Sequence, residues 1–295
     1  MAEPVNRYEL RNRYVITGKL VMLTAFHIGT GASRMTASSS DSPVVLTPEG
    51  FPFIPSSSFK GALRSTVEKL VPVFPGEWPS CGLIQLNDEE VEKMLARGER
   101  ICSTAWSNDL AREKRRNQGA AEEVRKKALE RLCDTCQLFG SPIAASRVNV
   151  NDLYIPLEEW NGVLQVRDGV AIDRDSEKAK DRLKYDFEVV PPGAVFNLEM
   201  TLENATERDL QLLSVGLSEF AHGLSAIGGK RSRGLGACKL EAIRVSTLDL
   251  TDIDAPERSR RLRDYLLERK FPSEEQDGQA FLNRYISQIF EGTSL

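Results

Sequence analysis

Two stretches far apart in the chain carry apolar residues at helical spacing: Phe59, Leu63, Val67 and Leu70 in PSSSFKGALRSTVEKL, and Leu210, Leu213, Leu217, Phe220 and Leu224 in ERDLQLLSVGLSEFAHGL. Such a stripe covers one side of a helix and has to be buried against another apolar surface. The sequence around them supplies that surface as strands. YVITGKLVML (Tyr14 to Leu23) is rich in β-branched residues, and GAVFNLEMTL sets Phe196, Leu198, Met200 and Leu202 on one face by simple alternation. VNVNDLYIPL and ACKLEAIRV read as two more strands, and Ser57 or Ser58 is positioned to cap the first helix. The order strand, helix, strand, strand, helix, strand is that of a split βαβ, or ferredoxin-like, α+β fold.

The rest of the chain decorates this core. Core segments fall at about residues 14–72, 142–165 and 191–246, with an insertion at 73–141, a polar stretch at 166–190 and a helical tail at 256–295, all within one elaborated domain of 295 residues. The insertion holds four of the five cysteines. Cys133 and Cys136 form a CxxC that can present two thiolates to one zinc ion, and Cys81 and Cys102 can complete a tetrahedral set. Four thiolates leave no open coordination position, so such a Zn2+ ion is structural. A redox CxxC needs a thioredoxin-like setting that this order lacks, and unrelated buried cysteines are the alternative. Cys238, in the last strand, reads as core. The charged segment from Asp109 to Leu132 reads as a solvated helix.

Composition narrows the setting. No run of about 18 apolar residues is present, and MAEPVNRYELRNRY lacks a secretory h-region. No membrane partner and a cytoplasmic location are therefore expected. A net charge of −4 does not advertise a nucleic-acid binder, but basic residues are clustered. GGKRSRGLG joins the second helix to the last strand: glycines Gly228 and Gly229 allow close backbone approach, and Lys230, Arg231 and Arg233 supply charge. Its spacing is not that of a P-loop. In a ferredoxin-like order this loop lies near the start of the first helix, so Lys60 and Arg64 are expected to face it across a groove suited to a nucleic-acid backbone.

One further loop, HIGTGASRMTASSSDSPVV, runs from His27 through small polar residues to Asp41. An aspartate before Ser-Pro suits a turn, a metal ligand or a catalytic group, and the residues alone leave these open. His27 reads as an RNA contact, a base-stacking group or a plain loop residue, and His222 as structural.

Together, HIGTG, DSPVV, IPSSSFKGALR and GGKRSRGLG resemble the backbone subunit of type III CRISPR effector complexes, in the RAMP superfamily, over most of residues 14–245. CDTCQLFGSP resembles the zinc-binding version of types III-D and III-E. The resemblance implies a subunit that stacks with other copies or homologous backbone subunits along a CRISPR guide RNA, beside large and small subunits, and pairs the guide with complementary target RNA. It implies that 166–190 is a thumb β-hairpin and that Asp41 supports target cleavage with Mg2+ or Mn2+. RNA contacts are implied for His27, Gly29, Ser58, Lys60, Arg64, Gly228, Gly229, Lys230, Arg231 and Arg233. A silent scaffold subunit and a guide-precursor-processing endoribonuclease are the alternatives.

Overall fold

Strand β1, Asn12–Met22, buries Tyr14, Ile16, Leu20 and Met22 on one face, so its alternation sets the orientation of the sheet. In this computed structural model the described residues are 9–29, 40–82, 89, 93, 102, 129, 132–142, 144–160, 162–172 and 179–291. The elements that follow are β2 (Phe53–Ile54), α1 (Ser56–Leu70), α2 (Asp134–Phe139), β3 (Val148–Val150), β4 (Leu153–Tyr154), β5 (Gln165–Ile172), β6 (Ala179–Val189), β7 (Val195–Glu203), α3 (Glu207–Ala221), β8 (Cys238–Asp249), α4 (Ala255–Glu268), β9 (Ser273–Glu275) and α5 (Gly278–Phe290).

β1 pairs antiparallel with β7 on one side and β8 on the other, while β3 and β4 pair with β7, β2 extends β4 and β9 extends β8. The result is a mixed α+β fold built on an antiparallel sheet. On β7, Phe196, Leu198, Met200 and Leu202 are all buried, as their alternation requires.

Helices α1 and α3 pack on the apolar side of this sheet. Gly216 of α3 lets them approach closely: a Cβ there would come within 2.7 Å of Leu63 and 2.8 Å of Val67. Phe59 and Phe220 meet with ring centroids 5.2 Å apart. A capping box starts α3, with Thr206 N–H donating to Asp209 Oδ2 at 2.8 Å. Asp209 also forms a buried ion pair with Arg147, at the start of β3.

Three expectations are corrected locally. α1 begins after Pro55 without a serine cap; instead Ser56 N–H donates to Asp152 Oδ1 at 2.7 Å, a partner from the turn between β3 and β4. Gly223, at φ +72°, ends the α3 region, so Leu224 is 73% exposed rather than part of the buried stripe. VNVNDLYIPL, expected as one strand, is two short strands. The tail does hold two helices, with β9 between them. Most of the charged segment from Asp109 to Leu132 and the loop at 30–39 lie outside the described residues.

Candidate nucleic-acid interface and metal centre

The exit of β1 is the anchor for the glycine-rich loop. Gly236 N–H donates to Ala25 O at 2.9 Å, Gly229 N–H donates to His27 O at 2.9 Å, and Ile227 N–H donates to Gly236 O at 2.9 Å. Two glycines are obligatory here. Gly228, at φ +87°, would place a Cβ 2.4 Å from His27 O, and Gly236, at φ +86°, would place one 2.0 Å from Ile227 O. Between them Lys230 takes a left-handed conformation and Arg231–Arg233 form one 3-10 turn, with Arg231 and Arg233 exposed.

His27 is 5% exposed, and both its ring nitrogens are engaged. Nδ1 lies 2.7 Å from the carbonyl of Glu188, which can only accept, so Nδ1 carries the proton. Nε2 is then the acceptor for the Ser42 hydroxyl at 3.1 Å. Burial lowers the imidazole pKa, the Glu188 carbonyl opposes that, and nearby Lys230 lowers it further. The ring therefore pins β6 and the Asp41–Val44 segment to the β1 exit, and is not presented to a ligand. Charging it costs more in the folded protein than in the unfolded chain. Its contribution is thus whole above about pH 6.5 and declines as pH falls below that. Wild-type protein is expected to lose more thermal stability between pH 7.5 and 5.5 than His27→Gln; equal losses would contradict this role.

Asp41 sits on β6. Asp41 N–H donates to Asp186 Oδ1 at 2.7 Å, and Asp186 N–H donates to Asp41 Oδ2 at 3.1 Å. Each carboxylate thus commits one oxygen to the other's backbone. Next along, Glu188 N–H donates to Ser42 O at 3.1 Å and Val44 N–H donates to Glu188 Oε2 at 3.0 Å. Asp41 itself is exposed.

The opposite face of β6 carries Tyr185 and Phe187, stacked at 6.1 Å between centroids. Lys230 Nζ lies 4.3 Å from the centre of the Phe187 ring, and Arg233 donates to the Tyr185 hydroxyl. Tyr185 in turn rests on Gly169 of β5, where any Cβ would collide with the ring at 2.3 Å. One β-hairpin thus joins an acidic edge to a basic loop.

Lys60 and Arg64 are placed differently from the expectation that they face this loop. Lys60 Nζ donates to Val148 O at 3.0 Å, and Arg64 contacts Glu68, Gly140 and Cys136. Helix α1 reaches the loop region through Thr66, whose hydroxyl lies 3.3 Å from that of Ser225. Ser58 is half-buried in the first turn of α1, and Gly29 is exposed beside the His27 ring. His222 caps the end of α3 through Ser218 O.

The four insertion cysteines converge. The sulfurs of Cys81, Cys102, Cys133 and Cys136 all lie within 4.8 Å of one another, and all but Cys81 are buried. Cys81 and Cys136 are 3.5 Å apart. The Cys81 thiol is lowered to about 7, chiefly by hydrogen bonding to Cys102. A compact all-sulfur donor set of this kind could hold a metal ion. Cys238 lies apart in the core, where burial pushes its thiol up to about 12.

The family model described as RAMP superfamily matches residues 19–239, a span that takes in α1, the cysteine segment, the β5–β6 hairpin and the glycine-rich loop. The chain belongs to the RAMP superfamily. It is 43% identical over 63 residues to the CRISPR system Cms endoribonuclease Csm3 of Enterococcus italicus, which is 21% of this chain and 29% of that relative. It is 35% identical over 78 residues to the protein of the same name from Methanothermobacter thermautotrophicus, covering 26% of this chain and 32% of that one. The matched segments span less than a third of either relative's length.

Within this RAMP chain, the candidate residues have partners on β6 that their own motifs do not reveal. Asp186 and Glu188 line one face of β6 while Tyr185, Phe187 and Val189 line the other. The alternation of KYDFEV carries that signal, with acids and apolar residues at successive positions. Ser42 had no such signal, because its hydroxyl gains meaning only from the His27 ring. No helix among the described residues of this RAMP chain is long and apolar enough to cross a membrane.

Proposed function

We propose that the chain is a guide-RNA-binding backbone subunit of a type III CRISPR ribonucleoprotein that cleaves complementary target RNA through Asp41. The observation that carries this reading is the docking of Asp41 onto Asp186, at the base of a hairpin whose other face holds Lys230 and Arg233. An exposed carboxylate and a cationic, glycine-lined loop are thereby both docked on β6. The endoribonuclease name of the two relatives agrees with it. Neighbours in the assembly are further copies or homologous backbone subunits together with large and small subunits.

Strand order β3–β7–β1–β8 supports the ferredoxin-like arrangement, and the antiparallel β5–β6 pair is the thumb hairpin on this reading. Residues 73–141 form the zinc-containing insertion on this reading, and Cys81, Cys102, Cys133 and Cys136 would hold Zn2+. Gly29, Ser58, Gly228, Gly229, Lys230, Arg231 and Arg233 contact RNA; the charges act on the phosphates regardless of base identity. His27 serves the interface by pinning Ser42, and its two occupied nitrogens speak against a role in processing guide precursors.

The cut requires a ribose 2′-hydroxyl aligned with the adjacent phosphate. Lys230, Arg231 and Arg233 hold the backbone, and the hairpin sets the strand against Asp41. Asp41 and Asp186 offer the oxygen donors that Mg2+ or Mn2+ takes, and such an ion, when bound, neutralises charge building on the phosphate. Protein assembled with guide RNA and partner subunits is expected to cut complementary RNA when Mg2+ is supplied and to stop when EDTA is added. Binding of target without any product would favour the silent scaffold instead.

A further inference from the structure

We propose that Arg64 is a positioning residue of the four-cysteine centre and not a phosphate-binding residue. The proposal rests on the reading that this centre holds zinc. Arg64 lies on α1, one turn after Lys60, in the motif whose basic residues were expected to face RNA. All of its guanidinium nitrogens are committed inside the protein. Nη2 donates to Cys136 Sγ at 3.1 Å, Nη1 donates to Gly140 O at 2.7 Å, and Nε donates to Glu68 Oε1 at 2.7 Å. The side chains of Arg64 and Glu68 are only 12% and 18% exposed. Each nitrogen of the guanidinium is already engaged, and a side chain this little exposed does not reach out to a phosphate.

Its contacts hold the cysteine segment at two points four residues apart. Cys136 is on α2, and Gly140 is the C-cap of the same short helix. Gly140 has φ +89°, and a Cβ there would come within 2.9 Å of Ser146 N, so this turn is confined to glycine. A fork of planar N–H donors can span a sulfur and a carbonyl at once, which a lysine ammonium does less well.

The charge balance gives this contact a purpose. Four thiolates around a divalent cation carry a net charge of about −2, and three of these cysteines are buried. A buried cation that donates directly to one sulfur offsets that excess and fixes the ligand's orientation. Partners of this sort typically change metal affinity by about 10- to 100-fold. Through α1 the same arginine links the centre to Thr66, which meets Ser225 just before the glycine-rich loop.

The test compares zinc release from full-length protein into excess of a chromogenic chelator, together with affinity for a single-stranded RNA oligonucleotide. Arg64→Met is expected to release zinc about tenfold faster or more, while RNA affinity stays within about twofold, since no phosphate contact is lost. Arg64→Lys keeps the stem and the charge but loses the fork, so an intermediate acceleration, about threefold, is expected. It carries the test alone if Arg64→Met does not fold. Release at the wild-type rate from a folded variant would overturn the proposal. So would weakened RNA binding with unchanged zinc release, which would return Arg64 to the phosphate groove. Wild-type protein purified without zinc would remove the zinc reading itself, and that result is seen before any variant is made.

Discussion

Asp41→Ala, assembled with guide RNA and partner subunits, is expected to lose cutting of complementary target RNA by at least about 100-fold. That is the usual loss when a positioned acid–base group or an electrostatic stabiliser is removed. Guide binding is expected to hold within about twofold, because the change removes no positive charge. The geometry also allows charge to be separated from placement. Asp41 Oδ2 accepts from Asp186 N–H, and Asp41 N–H donates to Asp186 Oδ1. Asp41→Asn keeps a carbonyl oxygen for the first bond and leaves the second untouched, so the segment should stay docked without its charge. Equal loss in the Ala and Asn variants would assign the chemistry to the carboxylate. Full activity in Asp41→Asn would show that the residue merely places the strand.

Zinc removal is expected to have the second large effect, on stability and not on chemistry. Purified protein should contain about one zinc per chain, and a strong chelator or Cys133→Ser should release it. Structural zinc sites in small peptides supply about 10–16 kcal/mol of apparent binding energy, which is folding energy for the segment they close. Here the ion would join residues 81, 102 and 133–136, which are far apart in sequence and gather in a small apolar cluster with Leu129, Leu132 and Ala144. Leu138 and Phe139 at the end of α2 reach the main core, but β1 and β7 are buried in it without the cysteines, so the loss should be local. Hydrogen exchange is expected to accelerate at 79–82 and 132–140 while β1 and β7 stay protected. Cys238→Ser, outside the cluster, should retain the metal. Wild-type protein that carries no zinc yet protects 132–140 would contradict this account.

The sequence disclosed what local periodicity controls. The apolar faces of β7, α1 and most of α3 could be read directly, because each depends on spacing within one element. What it withheld depends on distant partners. The cap of α1 comes from Asp152, 96 positions away from Ser56. Lys60 and Arg64 fall outside the apolar stripe, yet that side of the helix is covered by β3 and the cysteine segment. Leu224 fits a helical repeat, but Gly223 turns the chain before it. Around Asp41, the motif marked a residue and the fold supplied its company: Asp186 lies 145 positions away, and Ser42 becomes significant only through His27.

Whether Asp41 acts on a target phosphate is tested most directly by its position in a structure of the assembled complex with guide and target RNA. A divalent ion shared by the carboxylate and the phosphate at the cut would hold the two within about 4 Å of each other. That separation, with Asp186 still paired to the Asp41 backbone, is the expected result. A carboxylate more than about 10 Å from every target phosphate, beyond the reach of a single bridging ion, would contradict it.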